Sequence, residues 1–215
     1  MSREYVYRGV KIEKLVHDTV RIQGKNVVLY IDPFRVSGAP KDADIVICTH
    51  DHFDHCSPED VLKVAKPDAT VVAALNCEGK LRNLGLEYKL FSWWEEREVK
   101  GVKIKAVPAY NVNKRFHPRE YGGIGVIVEV DGVKIYHAGD TDLIEEMSRL
   151  GKIDVALLPV SGTYVMNAEE AAKAAEIIKP EVAIPMHYGA IVGSKSDAEK
   201  FAELLKGKVQ VVILD

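Results

Sequence analysis

The chain has 215 residues, 47% of them hydrophobic and 28% charged, so it can bury one substantial core, and its length favours a single domain over residues 1–215. Its 29 basic residues are scattered among 32 acidic ones for a formal net charge of -3; no basic stripe points to nucleic acid, and the expected partner is a small molecule, with an anionic one allowed. No apolar run nears the roughly 18 residues of a membrane span, and the opening Met-Ser-Arg-Glu-Tyr lacks the apolar stretch of a secretion signal, so a cytoplasmic protein without a membrane partner is expected.

In chain order, residues 10–15 and 19–23 alternate apolar with polar, Gly24-Lys25-Asn26 turns the chain, and 27–31 is an apolar run closed by Asp32-Pro33. This is an antiparallel start. Residues 44–48 make a further apolar strand that runs straight into His50-Asp51-His52-Phe53-Asp54-His55. Ser57-Pro58-Glu59-Asp60 then supplies an N-cap, a first-turn proline and early acids for a helix to about residue 65. A strand at 70–73, a short helix ending near Gly85 and strands at 88–91 and 102–107 follow, and a loop covers 108–123. Strands at 124–130 and 133–136 flank Asp131-Gly132, the strongest hairpin signal in the chain, and lead to His137-Ala138-Gly139-Asp140. Residues 153–160 read as a buried strand, Asn167 with Glu170 as a capping box for a helix over 168–178, and 182–184 as a strand delivering Pro185-Met186-His187. Ser196 with Glu199 reads as a second capping box on a helix ending at Gly207, and 209–214 as a last strand. The alternation of strand and helix signals predicts a layered α/β fold.

Three imidazoles and a carboxylate within six residues have no packing rationale. Neutral imidazole and carboxylate oxygen suit Zn2+ and its first-row neighbours, and a junction between a strand and a capped helix can aim several side chains at one point. Asp140 and His187 also follow predicted strands, and loops at one edge of a sheet converge. A hydrolytic metal site is the leading expectation.

The motif H-x-H-x-D-H at His50, His52, Asp54 and His55, the Gly-Asp-Thr at 139–141 and the late Pro185-Met186-His187-Tyr188-Gly189 together resemble the metallo-β-lactamase superfamily. Val-Pro-Ala-Tyr-Asn at 107–111 and Phe-His-Pro at 116–118 are similar to its compact branch of ascorbate-6-phosphate lactonase-like hydrolases. The resemblance implies an αββα sandwich of two mixed sheets, with one or two divalent metal ions along one edge, Zn2+ foremost and Mn2+, Fe2+ or Ni2+ accepting the same donors. It implies that His50 and His52 hold a first ion, that Asp54, His55 and His187 hold a second, and that Asp140 bridges them. That family usually supplies a third first-site histidine just after the middle strand, where this chain has Tyr110 and Asn111. The resemblance therefore leaves open whether His117, Asn111 or water fills that place. The catalytic roles it implies are Asp54 as orienter of a metal-activated hydroxide and His117 as proton donor to the leaving group, with Tyr188 a poorer donor. Lys114, Arg115 and Arg119 surround His117 and read first as a solvated loop, with contacts for an anionic group as the alternative.

The expected activity is metal-dependent hydrolysis of a small ester, lactone or phosphoester. The alternative is a non-catalytic metal-binding or interaction protein on the same fold, and a nuclease or phosphodiesterase on nucleic acid ranks lower. His137 reads as a strand-end residue orienting Asp140, Asp32 as either a support for the histidines or a simple turn, and His17 as a surface residue. Cys48, Cys56 and Cys77, odd in number and unpaired in spacing, read as reduced, mostly buried thiols. Trp93-Trp94 fits a core, a substrate groove or an oligomer contact, and a homo-oligomer is compatible with the sequence. The Gly122-Gly123-Ile124-Gly125 stretch leads into a strand, so no dinucleotide fingerprint is read there. The Lys and Glu bias, with Gln only at 23 and 210, is of the thermophile kind.

Overall fold

The structure, a computed structural model, describes residues 3–214. Two seven-stranded sheets make up its centre. The first takes its strands in chain order: β1 (Glu4–Tyr7), β2 (Val10–Val16), β3 (Thr19–Gln23), β4 (Val28–Ile31), β5 (Ala43–Cys48), β6 (Ala65–Ala74) and β7 (Glu87–Phe91). The second does the same with β8 (Glu96–Val99), β9 (Val102–Pro108), β10 (Ile124–Val130), β11 (Val133–His137), β12 (Val155–Pro159), β13 (Val182–Met186) and β14 (Gln210–Val211). In each sheet the first three pairings are antiparallel and the last three parallel. The chain thus repeats one topology twice, strand n of the first half corresponding to strand n + 7 of the second.

The antiparallel hairpins use turns that their residues favour: Asp131-Gly132 has both residues at positive φ, 49° and 79°, as the twist of the flanking strands requires. The parallel strands are apolar on both faces, Ile45 to Cys48 and Val155 to Leu158 being fully buried, because the sheets face each other inside and helices cover them outside. Helix α1 (Pro58–Val64) packs on β5, while α3 (Ala168–Ile178) and α4 (Lys195–Leu204) pack on β12 and β13. A four-residue α2 (Glu78–Leu81) precedes β7. Helix α3 buries Ala168, Ala171, Ala172, Ala175 and Ile178, the spacing of one helical face. The result is the layered αββα sandwich of two mixed sheets. No helix among the described residues is long and apolar enough to cross a membrane.

Several expected elements differ. Strand β8, Glu-Arg-Glu-Val, gives no apolar alternation because it is an edge strand whose charged side chains lie in solvent. Strand β1 occupies the matching edge of the first sheet. The expected strand at 70–73 begins at Ala65, directly after α1. Helix α4 is capped by Ser194, whose N–H donates to Asp197 Oδ2 at 2.8 Å, rather than by Ser196 and Glu199, because the chain turns into the helix two residues earlier. The last strand pairs only over Gln210–Val211.

Candidate metal centre

All the ligand-type loops end on one rim of the sandwich. The His50 to His55 loop follows β5, Asp140 follows β11, His187 follows β13, and His117 lies in the β9–β10 loop. Gly139 makes the approach of Asp140 feasible: it has φ +62°, and a Cβ there would stand 2.7 Å from the Ile124 carbonyl oxygen.

Two donor groups share Asp140. In the first, His50 Nε2 lies 3.1 Å from His52 Nδ1, which lies 3.2 Å from His117 Nε2, and that atom is 3.3 Å from Asp140 Oδ2. A tetrahedral Zn2+ with bonds of about 2.0 Å to nitrogen would set its donors roughly 3.3 Å apart. In the second group, His55 Nε2 is 3.5 Å from Asp54 Oδ2 and 3.4 Å from Asp140 Oδ1, and His187 Nε2 is 3.4 Å from Asp140 Oδ2. His55 Nε2 and Asp140 Oδ1 are buried without a hydrogen bond. Buried polar atoms normally find partners, and lone pairs converging at these distances call for a cation.

Each imidazole but His52 is fixed from behind through Nδ1. His55 Nδ1–H donates to Asp32 Oδ2 at 2.7 Å, and His50 Nδ1 meets the Thr49 hydroxyl at 3.0 Å. That hydroxyl donates to Asp32 Oδ2 at 2.7 Å while the Thr49 N–H donates to Oδ1 at 2.8 Å, so a single carboxylate orients two histidines. Ser161 Oγ lies 2.8 Å from His187 Nδ1, and Asn111 Oδ1 lies 3.2 Å from His117 Nδ1. In this arrangement Nδ1 carries the proton and Nε2 offers its lone pair to the site, the usual second layer of a metal centre.

Charges follow the same pattern. Burial works against ionising Asp140, but His55 and His187 hold it well below the usual carboxylate range. Burial also opposes a charge on Asp54, which the close approach of the His17 and His55 imidazoles outweighs, holding it low. His187 resists protonation through burial, yet Asp140 and Asp18 raise it to about 9. Desolvation lowers His50 well below an ordinary imidazole and His117 to about 4. The carboxylates that hold protons on His55 and His187 are placed to hold a cation instead.

The structure therefore brings together His50, His52, Asp54, His55, His117, Asp140 and His187. Asn111 is not among the converging donors: its Oδ1 accepts the His117 N–H at 2.9 Å and its Nδ2 donates to the Tyr164 carbonyl at 2.8 Å, so it stands behind His117. Asp32 supports the histidines. His137 contacts the Asp18 carbonyl at 2.9 Å through Nε2 and accepts the Gly139 N–H, holding the turn that carries Asp140. The Tyr188 hydroxyl is turned away onto the Leu214 carbonyl. Lys114 pairs with Asp142 and Arg119 with Glu146. Cys48, Cys56 and Cys77 are free, buried and grouped with one another.

His17 is the clearest departure. It is 1% exposed rather than on the surface, with Nε2 3.3 Å from Asp54 Oδ2 and its ring 4.0 Å from that of His187. A lone histidine in a hairpin turn carries no local signal of this, since burial comes from the second sheet closing over it. Thr49, Ser161 and Tyr164 were equally silent, being ordinary loop residues until the fold places them.

A family profile described as a beta-lactamase superfamily domain matches residues 11–187. A UPF0173 metal-dependent hydrolase of Thermococcus onnurineus is 36% identical, covering 95% of this chain and 96% of its own length. A candidate metal-dependent hydrolase from Parabacteroides distasonis superposes with a TM-score of 0.85 at 30% identity, covering 100% of this chain and 98% of its own. A metallo hydrolase from Ignicoccus hospitalis gives 0.79 at 26% identity, over 96% and 95%.

Proposed function

Since this chain belongs to the β-lactamase superfamily through a match over residues 11–187, we propose that it is a metal-dependent hydrolase with a two-ion centre, acting on a small ester, lactone or phosphoester. The observation that carries this reading is the convergence of the two donor groups on Asp140. His50, His52 and His117 would hold the first ion, and Asp54, His55 and His187 the second, Zn2+ suiting the donors best. Bound there, the ions would supply Lewis acidity toward a carbonyl or phosphoryl oxygen and lower the pKa of water from roughly 15.7 to about 7.

The chain's own groups do the rest. Asp54, held ionised, accepts a hydrogen bond from the attacking water and orients it. His117 is a poor carrier of the leaving group's proton: Nδ1 faces Asn111, Nε2 faces the first donor group, and burial lowers it to about 4. The leaving group's proton then comes from the attacking water by way of Asp54, which takes it up as the new bond forms and passes it to the departing oxygen. Phe53 and Phe116, 62% and 48% exposed, neighbour the ligand residues in sequence, and Tyr164 lies edge-on to Phe116 at 4.6 Å. This apolar rim suits an organic substrate, and the pairing of Lys114 and Arg119 leaves less free charge for an anion. The non-catalytic reading rested on a missing third histidine, a place next to which His117 stands.

The experiment is a panel of activated esters, lactones, thioesters and phosphodiesters tested on metal-loaded protein against a His52→Ala control. Turnover lost in the variant supports the proposal; a loaded protein that exceeds the control on no substrate overturns it.

A further inference from the structure

The β2–β3 turn carries His17 and Asp18, and nothing in the two-ion reading uses them. Both Asp18 carboxylate oxygens and both His17 ring nitrogens are buried without a hydrogen bond, although Asp18 is 0% exposed. An unpaired carboxylate in such a place costs several kcal/mol unless a cation or a proton compensates it. The cluster reaches further than the pair. One donor atom each from His17, Asp18, His55 and His187 lie within 4.8 Å of one another, and His17 Nε2 is also 3.3 Å from Asp54 Oδ2.

Two features of the backbone aim this turn. His17 adopts φ +55°, a left-handed conformation that histidine tolerates better than most residues, and the β2–β3 register slips between Lys14 and Val16 just before it. A bulge of this kind re-aims the side chains beside it. The repeat of the topology gives an independent argument. The β2–β3 turn of the first half corresponds to the β9–β10 loop of the second, and that loop sends His117 to the first donor group. The matching turn sends His17 and Asp18 to the second.

The geometry points to His17 and Asp18 as additional donors to the second ion, drawn from the same cluster as His55 and His187. This rests on the two-ion reading above. The imidazole-rich donors of the first ion suit Zn2+; the added carboxylate and higher donor count of the second would suit Mn2+ or Fe2+. The two positions therefore differ in the metal they select.

The test is a titration of metal-free full-length protein with Mn2+ in the presence of one equivalent of Zn2+, read by electron paramagnetic resonance and by metal content after desalting. Wild type is expected to retain one Zn2+ and one Mn2+. Asp18→Asn, which keeps the shape, and His17→Asn, which keeps a residue at ease at positive φ, are each expected to weaken Mn2+ by about 10-fold or more while Zn2+ stays bound. Circular dichroism and thermal melting of the metal-free variants identify a misfolded one, and the other then gives the reading. Unchanged Mn2+ affinity in a folded variant overturns the added donors and leaves the two-ion reading standing. Wild type that prefers a second Zn2+ to Mn2+ overturns the selectivity, and wild type that binds no metal overturns both.

Discussion

Asp32→Ala removes the one carboxylate that orients two histidines. Asp32 is fully buried and accepts from the Thr49 N–H at 2.8 Å, the Thr49 hydroxyl at 2.7 Å and His55 Nδ1 at 2.7 Å. The hydroxyl still accepts from His50 Nδ1–H, 3.0 Å away, but the Thr49 N–H and His55 Nδ1–H are left with no partner. A buried orphaned donor costs about 1–3 kcal/mol, so the metal-free variant should lose roughly 2–6 kcal/mol. For a chain of this size that corresponds to a fall in Tm of roughly 5 to 20 °C. Freed of its partner, the His55 ring no longer presents Nε2 in a fixed direction, and removal of such a support typically weakens metal binding by about 10- to 100-fold. Thermal melts of chelated protein measure the first effect, and competition against a coloured chelator measures the second. Asp32→Asn keeps one acceptor but turns an N–H toward another donor, and should fall between the two. Metal affinity and Tm both equal to wild type in Asp32→Ala would refute the assignment of Asp32 as the common support.

Three further outcomes follow from the same geometry. His117→Ala should reduce bound metal toward one ion per chain and lower turnover; metal content and rate both unchanged would remove His117 from the site. Gly139→Ala forces a Cβ to 2.7 Å from the Ile124 oxygen and 3.3 Å from Thr49 Cβ at φ +62°, which should cost at least about 1–3 kcal/mol in denaturant unfolding and shift Asp140; a variant as stable as wild type contradicts the close approach. Asp60 accepts from the Arg35 and Val36 N–H groups, both at 3.0 Å, and from Ser57 and Lys63. Burial opposes its charge, but the Lys63 and Ser57 hydrogen bonds and the two backbone donors hold its pKa down. A folded pKa below the unfolded value of about 3.9 means that Asp60 stabilises the fold above that pH and loses this contribution as pH falls through the depressed folded value. Asp60→Asn should therefore flatten the acid limb of a stability profile below about pH 4, and an unchanged limb would show that the carboxylate is unpaired in solution.

The motif at 50–55 was legible because it breaks the rules of packing, and the strands delivering Asp140 and His187 were legible because apolar runs and Asp-Gly turns are local signals. The αββα layering came from a resemblance rather than from periodicity. What local pattern could not convey was convergence across the sandwich. The β9–β10 loop folds back so that the Asn111 N–H donates to the His117 carbonyl at 2.7 Å, which sets the His117 ring beside His50 and His52 with Asn111 behind it. His17 looked like a solvated turn because its burial depends on His187 from the other sheet. Edge strand β8 was hidden because an edge is kept charged, so its sequence reads as a loop.

The central claim is that one rim of the sandwich holds two ions with Asp140 between them. Anomalous diffraction from crystals grown with Zn2+ or Mn2+ tests it most directly. The account predicts two peaks, one among His50, His52 and His117 and one among Asp54, His55 and His187, both bonded to Asp140. Peaks elsewhere on the surface, with these donors bonded only to one another and to water, would contradict it.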